Sequence, residues 1–202
     1  MTQGSAIYSD LDEVVARFAA GETILLAGDS TRGGDIDFIT SAEKITPEKI
    51  NFLATFGRGL ICLGMEYEAA GRLGIAPLNA GSYRQSGRPF GASIEASEGV
   101  TTGISAADRA VTVLAAIAEG ANANSVVQPG HVFPLFAQDS VPEADARAVD
   151  AAVELARRGG QAPFAVLCAV LREDGEPARI EDMPEFMQRH GITAVHVEQL
   201  KG

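Results

Sequence analysis

The sequence predicts an α/β fold, a mixed β-sheet covered by helices in a single domain spanning residues 1–202. Two observations predict it. Short apolar runs such as TILLA (23–27), LICLGM (60–65) and FAVLCAVL (164–171) alternate with stretches of helical spacing. With 202 residues and 46% hydrophobic content, the chain is long enough for one sizeable core, and no repeat, linker or low-complexity tract divides it.

Each element has a local reason. Ser9 and Asp12 form a capping-box pattern ahead of Leu11, Val14, Val15 and Phe18, and Gly21 stops that helix. TILLA follows as a buried strand, then the polar loop AGDSTRGGDID (27–37). Thr46 caps a second helix with Pro47 at its first position and Gly57 at its close. LICLGM is a strand, and EYEAAGRLG (66–74) one or two helical turns. Residues 79–91, rich in glycine and proline, read as a flexible loop. ASIEAS (92–97) alternates like a strand, and Ser105 with Asp108 opens the helix AADRAVTVLAAIAEG (106–120). HVFPLF (131–136) is a short strand. Val149, Ala152, Val153 and Ala156 share one face of an amphipathic helix. After the strand FAVLCAVL, Asp182 caps a last helix ending at Gly191, and TAVHVE (193–198) closes as an alternating strand.

Charge narrows the function. A formal net charge of -11 and a pI near 4.7 argue against a nucleic-acid partner, and no basic cluster or long apolar run suits a membrane. No signal peptide is visible, and Cys62 and Cys168 sit in apolar runs as buried thiols. A cytoplasmic protein is expected.

Three segments could carry chemistry. In AGDSTRGGDID, glycine-rich backbone could cup an anion, or Asp29, Asp35 and Asp37 could bind a hard cation. A polar turn after a strand is the plainer reading. Neither GxxxxGK[ST] nor GxGxxG is present. In SIEASEGVTTGISAADR (93–109), Glu95 and Glu98 precede two threonines and a capped helix start, suited to an anion or a polyol; good capping alone explains it equally well. In QPGHVFPLFAQ (128–138), His131 lies between Pro-Gly and an apolar strand, where a lone histidine is more often structural.

SIEASEGVTTGISAADRAVTV followed by QPGHVFPLFAQ resembles the core of the 3,4-dihydroxy-2-butanone-4-phosphate synthase family. The likeness extends over nearly the whole chain, from AGETILLAGD through LICLGM to the C-terminal third. It implies a mixed α/β fold, a homodimer with active sites at the subunit interface, and a small-molecule substrate. Family members convert ribulose 5-phosphate into the four-carbon ketone phosphate and formate, using magnesium.

Residue by residue the likeness is uneven. Placed without gaps, the family's first-loop pattern D-D-E-D-R-E-N-E-G-D ends on Asp37 and keeps Asp29 and Arg32. Gly33 then stands for the metal-binding glutamate, Asp35 for the second glutamate, and Ile36 for a glycine. The family's R-G-G-H-T-E-A falls on DARAVDA (145–151). Asp145 there replaces the arginine, Ala148 the metal-binding histidine, Val149 the threonine and Asp150 the glutamate. Ala169 replaces a further glutamate. His131 and Thr101–Arg109 are intact.

The resemblance therefore implies His131, Asp37 and Asp35 as acid–base groups. Arg32, Asp29, Cys62, Glu95, Thr101, Thr102 and Ser105 would line or support the substrate, with Arg147 as a replacement anchor. It implies no bound metal, because Gly33 and Ala148 carry no side-chain donor. The favoured reading is a repurposed, metal-independent enzyme for a small polyol, sugar or keto acid, with a closed polar pocket around His131, Arg32 and Asp37. The alternatives are a catalytically silent dimeric subunit and a working synthase with a non-standard site.

Overall fold

A computed structural model describes residues 7–78, 88–144 and 146–201. Seven strands form one mixed sheet in the order β4-β5-β3-β6-β2-β1-β7. They are β1 (Ile24–Asp29), β2 (Asp35–Ser41), β3 (Cys62–Glu66), β4 (Ile94–Ala96), β5 (Val126–Ala137), β6 (Phe164–Ala169) and β7 (Ala194–His196). β3 runs parallel to β5 and β1 to β7, whereas β1–β2, β2–β6, β3–β6 and β4–β5 are antiparallel.

The helices are α1 (Leu11–Ala19), α2 (Pro47–Phe52), α3 (Tyr67–Arg72), α4 (Ala106–Ile117), α5 (Ala148–Arg158) and α6 (Pro184–His190). Strand residues alternate between two faces, so each face must be covered. On one, Val149, Val153 and Leu155 of α5 join Val14 and Phe18 of α1 over Ile24, Ile39 and Leu167. On the other, Ile50 and Leu53 meet Ala110 and Val113 of α4 over Phe38, Leu63 and Cys168. Cys62 and Cys168 are free and buried, as the sequence predicts.

The structure departs from the sequence reading at several points. Asp10, not Ser9, caps α1, its carboxylate accepting from the Asp12 and Glu13 amides. The charged stretch after β1 is only partly loop: β1 runs to Asp29, a 3-10 turn covers Ser30–Arg32, and β2 begins at Asp35. β2 is a strand the sequence reading omits. After Phe52 the helix widens into a π turn, Leu53–Gly57. β5 starts five residues before His131 and includes it. Met183, not Asp182, stands at the N-cap of α6, and Asp182 instead accepts from the Arg179 amide at 2.8 Å. Of the loop read at 79–91, residues 79–87 lie outside the described residues; Phe90 and Gly91 make isolated bridges to Leu135 and Pro77.

Candidate active site

The turn between β1 and β2 is held by Asp29. Its Oδ1 accepts from the Thr31 amide at 3.0 Å and the Thr31 hydroxyl at 2.7 Å. Gly33 and Gly34, both left-handed at φ +66° and +85°, turn the chain back into β2. Asp29 Oδ2 accepts from the Ala148 amide at 3.0 Å, and Ser30 donates to the Ala146 carbonyl at 3.4 Å. The segment entering α5 thus lies against this turn.

Arginines neutralise the carboxylates that follow. Arg32 donates from Nη1 to Asp37 Oδ2 at 2.7 Å and from Nη2 to Asp35 Oδ2 at 3.0 Å. Arg88 donates to Asp37 Oδ1, and Arg179 to Asp35 Oδ1. All four carboxylate oxygens of Asp35 and Asp37 therefore accept from guanidinium groups. Asp37 is fully buried. Burial opposes the charged form of Arg88, but the Asp37 carboxylate outweighs it and raises the guanidinium pKa. Arg88 and Arg179 are site residues that the sequence reading missed.

Arg147 and Cys62 also take definite places. Arg147, the proposed anchor, forks onto Asp150 with two bonds of 2.8 Å. Asp150 also accepts from the Gln138 amide at 2.8 Å, so this pair ties α5 to the end of β5. Cys62 borders a cavity of about 110 Å³ with Leu60, Arg88, Phe90 and Ala169. Burial pushes its thiol up to about 11, so it stays protonated at neutral pH. Larger cavities of about 460 and 400 Å³ lie beside Phe52 and Phe56 and contain none of the predicted site residues.

A second cluster gathers at β4, β5 and the start of α4. Glu95 Oε2 accepts from the His131 amide at 3.1 Å and lies 2.8 Å from His131 Nδ1. Asp108 accepts from the Thr101 amide and hydroxyl at 3.1 and 2.9 Å and from the Gly103 amide at 3.0 Å. The Thr101 hydroxyl bond, first among these, holds the Asp108 carboxyl below its ordinary range. Ser105 caps α4 by accepting from the Asp108 amide at 3.0 Å. The reciprocal half of that capping box is replaced: the Asp108 side chain serves the 101–103 loop. Thr102 is exposed.

The two clusters stand on different strands of the sheet. Asp37 pairs with Ala169 across β2–β6. The β3–β6 and β3–β5 registers, extended by the Phe133 amide bond to the Ile61 carbonyl, set Leu60 beside Ala169 and His131 beside Leu60. His131 is thus three strands from Asp37, roughly 14 Å at the usual strand spacing. Among the described residues, Ala169 and Leu60 stand between the two clusters and border the small cavity shared with Cys62 and Arg88.

The residues present do not fit magnesium in the family's manner. Gly33 and Ala148 offer no side-chain donor. The oxygens of Asp35 and Asp37 are engaged by arginine, and magnesium needs free hard oxygens in near-octahedral array. Among the described residues, no group of three or more His, Cys, Asp or Glu side chains could hold a metal ion.

Comparison with known proteins identifies the lineage. The family model for 3,4-dihydroxy-2-butanone 4-phosphate synthase matches residues 12–202. The chain belongs to that family. The 3,4-dihydroxy-2-butanone 4-phosphate synthase of Pseudomonas aeruginosa is 43% identical over 182 residues, 90% of this chain and 50% of the relative. That of Photobacterium phosphoreum is 41% identical over 184 residues, 91% of this chain and 51% of the relative. The chain spans about half the length of these curated relatives. Among solved structures, the two-domain synthase RibBX of A. baumannii superimposes with a TM-score of 0.88 at 36% identity, covering 95% of this chain and 56% of that one. A synthase solved in complex with two magnesium ions gives 0.87 at 28% identity, covering 95% and 94%. The relatives' names favour the working-synthase reading over the repurposed enzyme. Among the described residues no helix is long and apolar enough to cross a membrane.

Proposed function

We propose that the chain carries out the lyase chemistry of its family, converting ribulose 5-phosphate into 3,4-dihydroxy-2-butanone 4-phosphate and formate. The observation that carries this reading is the Glu95–His131 pair, set in the intact 93–109 and 128–138 segments of a chain whose relatives bear that name. His131 Nε2 moves protons to and from the substrate. Arg32 and Arg88, fixed on buried Asp37, supply positive charge where an enediolate would develop. No step is assigned to a metal ion.

The separation of the two clusters supports a homodimer in which the partner copy brings its His131 cluster to the Asp37 cluster.

One observation favours a second reading. Gly33, Ala148 and the arginine-engaged carboxylates suit a metal-independent enzyme acting on a small polyol, sugar or keto acid. Incubation with ribulose 5-phosphate, with magnesium or with chelator, separates the two. Formate release abolished by His131→Ala supports synthase chemistry, and persistence under chelator supports guanidinium in the cation's place. No formate under either condition refutes the synthase reading.

A further inference from the structure

We infer that Glu95 is the positioning residue of His131, fixing the imidazole as the Nδ1–H tautomer with Nε2 free to accept a proton. This rests on the reading of His131 as the acid–base group.

Glu95 meets His131 twice through one oxygen. Oε2 accepts from the backbone amide at 3.1 Å and lies 2.8 Å from Nδ1. A carboxylate at that distance accepts a hydrogen bond from Nδ1–H, and the other ring nitrogen is left as acceptor. The side chain of His131 is 42% exposed, so the imidazole reaches the surface while Glu95 is held inside at 12%.

The surroundings are shaped around this carboxylate. Gly103 adopts φ +82°, and a Cβ there would fall 1.5 Å from Glu95 Oε1. Asp108 clamps that glycine in place through its amide. On the other side, a Cβ on Gly130 would lie 2.1 Å from the Ile94 carbonyl, and the Gly130 amide donates to Ser93 at 3.2 Å. Glycines on both sides thus let the turn bearing His131 press against the strand bearing Glu95.

Glu95 Oε1 itself is buried with no hydrogen-bond partner. Stability alone does not favour an acceptor left unmet in the interior. A carboxylate kept there for its grip on His131 accounts for it.

The test reads the tautomer directly, without substrate. The full chain is labelled with 15N-histidine, and its three imidazoles are observed well above the ordinary histidine pKa of about 6.5. Wild type is expected to show a protonated Nδ1 and a bare Nε2 at His131. Glu95→Ala should switch His131 to the Nε2–H form that free histidine prefers, and Glu95→Gln, whose amide oxygen still accepts, should retain Nδ1–H. Gly103→Ala, which displaces the carboxylate, should reproduce the switch if Glu95→Ala does not fold. Unchanged His190 and His196 signals report intact folding. An Nε2–H tautomer in wild type, or a wild-type pattern in a folded Glu95→Ala or Gly103→Ala, overturns the inference. Where formate release is measurable, Glu95→Ala should lower kcat by about 100-fold with KM little changed, the low end of a positioned acid–base group. Absence of formate release in wild type bears on the proposed function and leaves the tautomer result standing.

Discussion

Replacing Asp108 by alanine removes three hydrogen bonds at once. The Thr101 amide, the Thr101 hydroxyl and the Gly103 amide all lose their acceptor. Thr101 is exposed, so water takes over its two donors. Gly103 is buried, and its orphaned amide costs about 1–3 kcal/mol. Adding a modest net loss for each Thr101 bond gives about 2–4 kcal/mol in all. For a chain of this size each kcal/mol moves Tm by about 2–4 °C, so the variant should melt roughly 4–16 °C lower. Calorimetry with urea unfolding on matched samples measures both quantities. A loss below about 0.5 kcal/mol would show that the acceptors are replaceable and that the 101–103 loop is not clamped by Asp108. Because this loop carries the glycine that accommodates Glu95, formate release should fall as well.

Other perturbations test separate parts of the structure. Gly28 sits at φ +92° with a would-be Cβ 2.2 Å from His196 Nε2, so Gly28→Ala should destabilise by about 2–4 kcal/mol in denaturant unfolding. His196 has its pKa lowered, chiefly by burial, so the unfolded chain binds the proton more readily. Its contribution favours folding above the unfolded pKa of about 6.5 and is lost as pH falls below it, which urea titrations between pH 8 and about 5 would follow. The ordinary carboxylate range, where Asp108 is held protonation-resistant by the loop, adds a second decline in more acid solution. Cys62 and Cys168, raised by burial to about 11 and about 12, should resist thiol reagents at pH 8 until the chain unfolds. Rapid labelling of the native protein would contradict their burial.

Much of the sheet and most helix starts are legible in the sequence because they depend on neighbouring residues. Thr46 with Pro47, Ser105 before α4 and the α5 apolar stripe need only local spacing. β2 escaped for an equally physical reason. It opens Asp-Ile-Asp, and buried carboxylates read as loop until their partners are known. Those partners, Arg88 and Arg179, stand 51 and 144 residues away from the aspartates they meet. Arg88 also follows a stretch with no periodicity, so nothing local marks it. The family strings bring Glu95 and His131 to notice individually, but their contact across β4–β5 depends on a register shift between Ile94 and Glu95. The distance from His131 to Asp37 depends on strand order, which local pattern does not encode.

Complementation between two inactive variants addresses the central claim, that one working site joins the Asp37 cluster of one chain to the His131 of another. His131→Ala and Asp37→Asn would each be inactive alone. Mixed and refolded in equal amounts, they should regain about one quarter of wild-type formate release, because half the dimers then hold one intact site of two. A mixture as inactive as either parent, with mixed dimers confirmed by mass, would contradict the account.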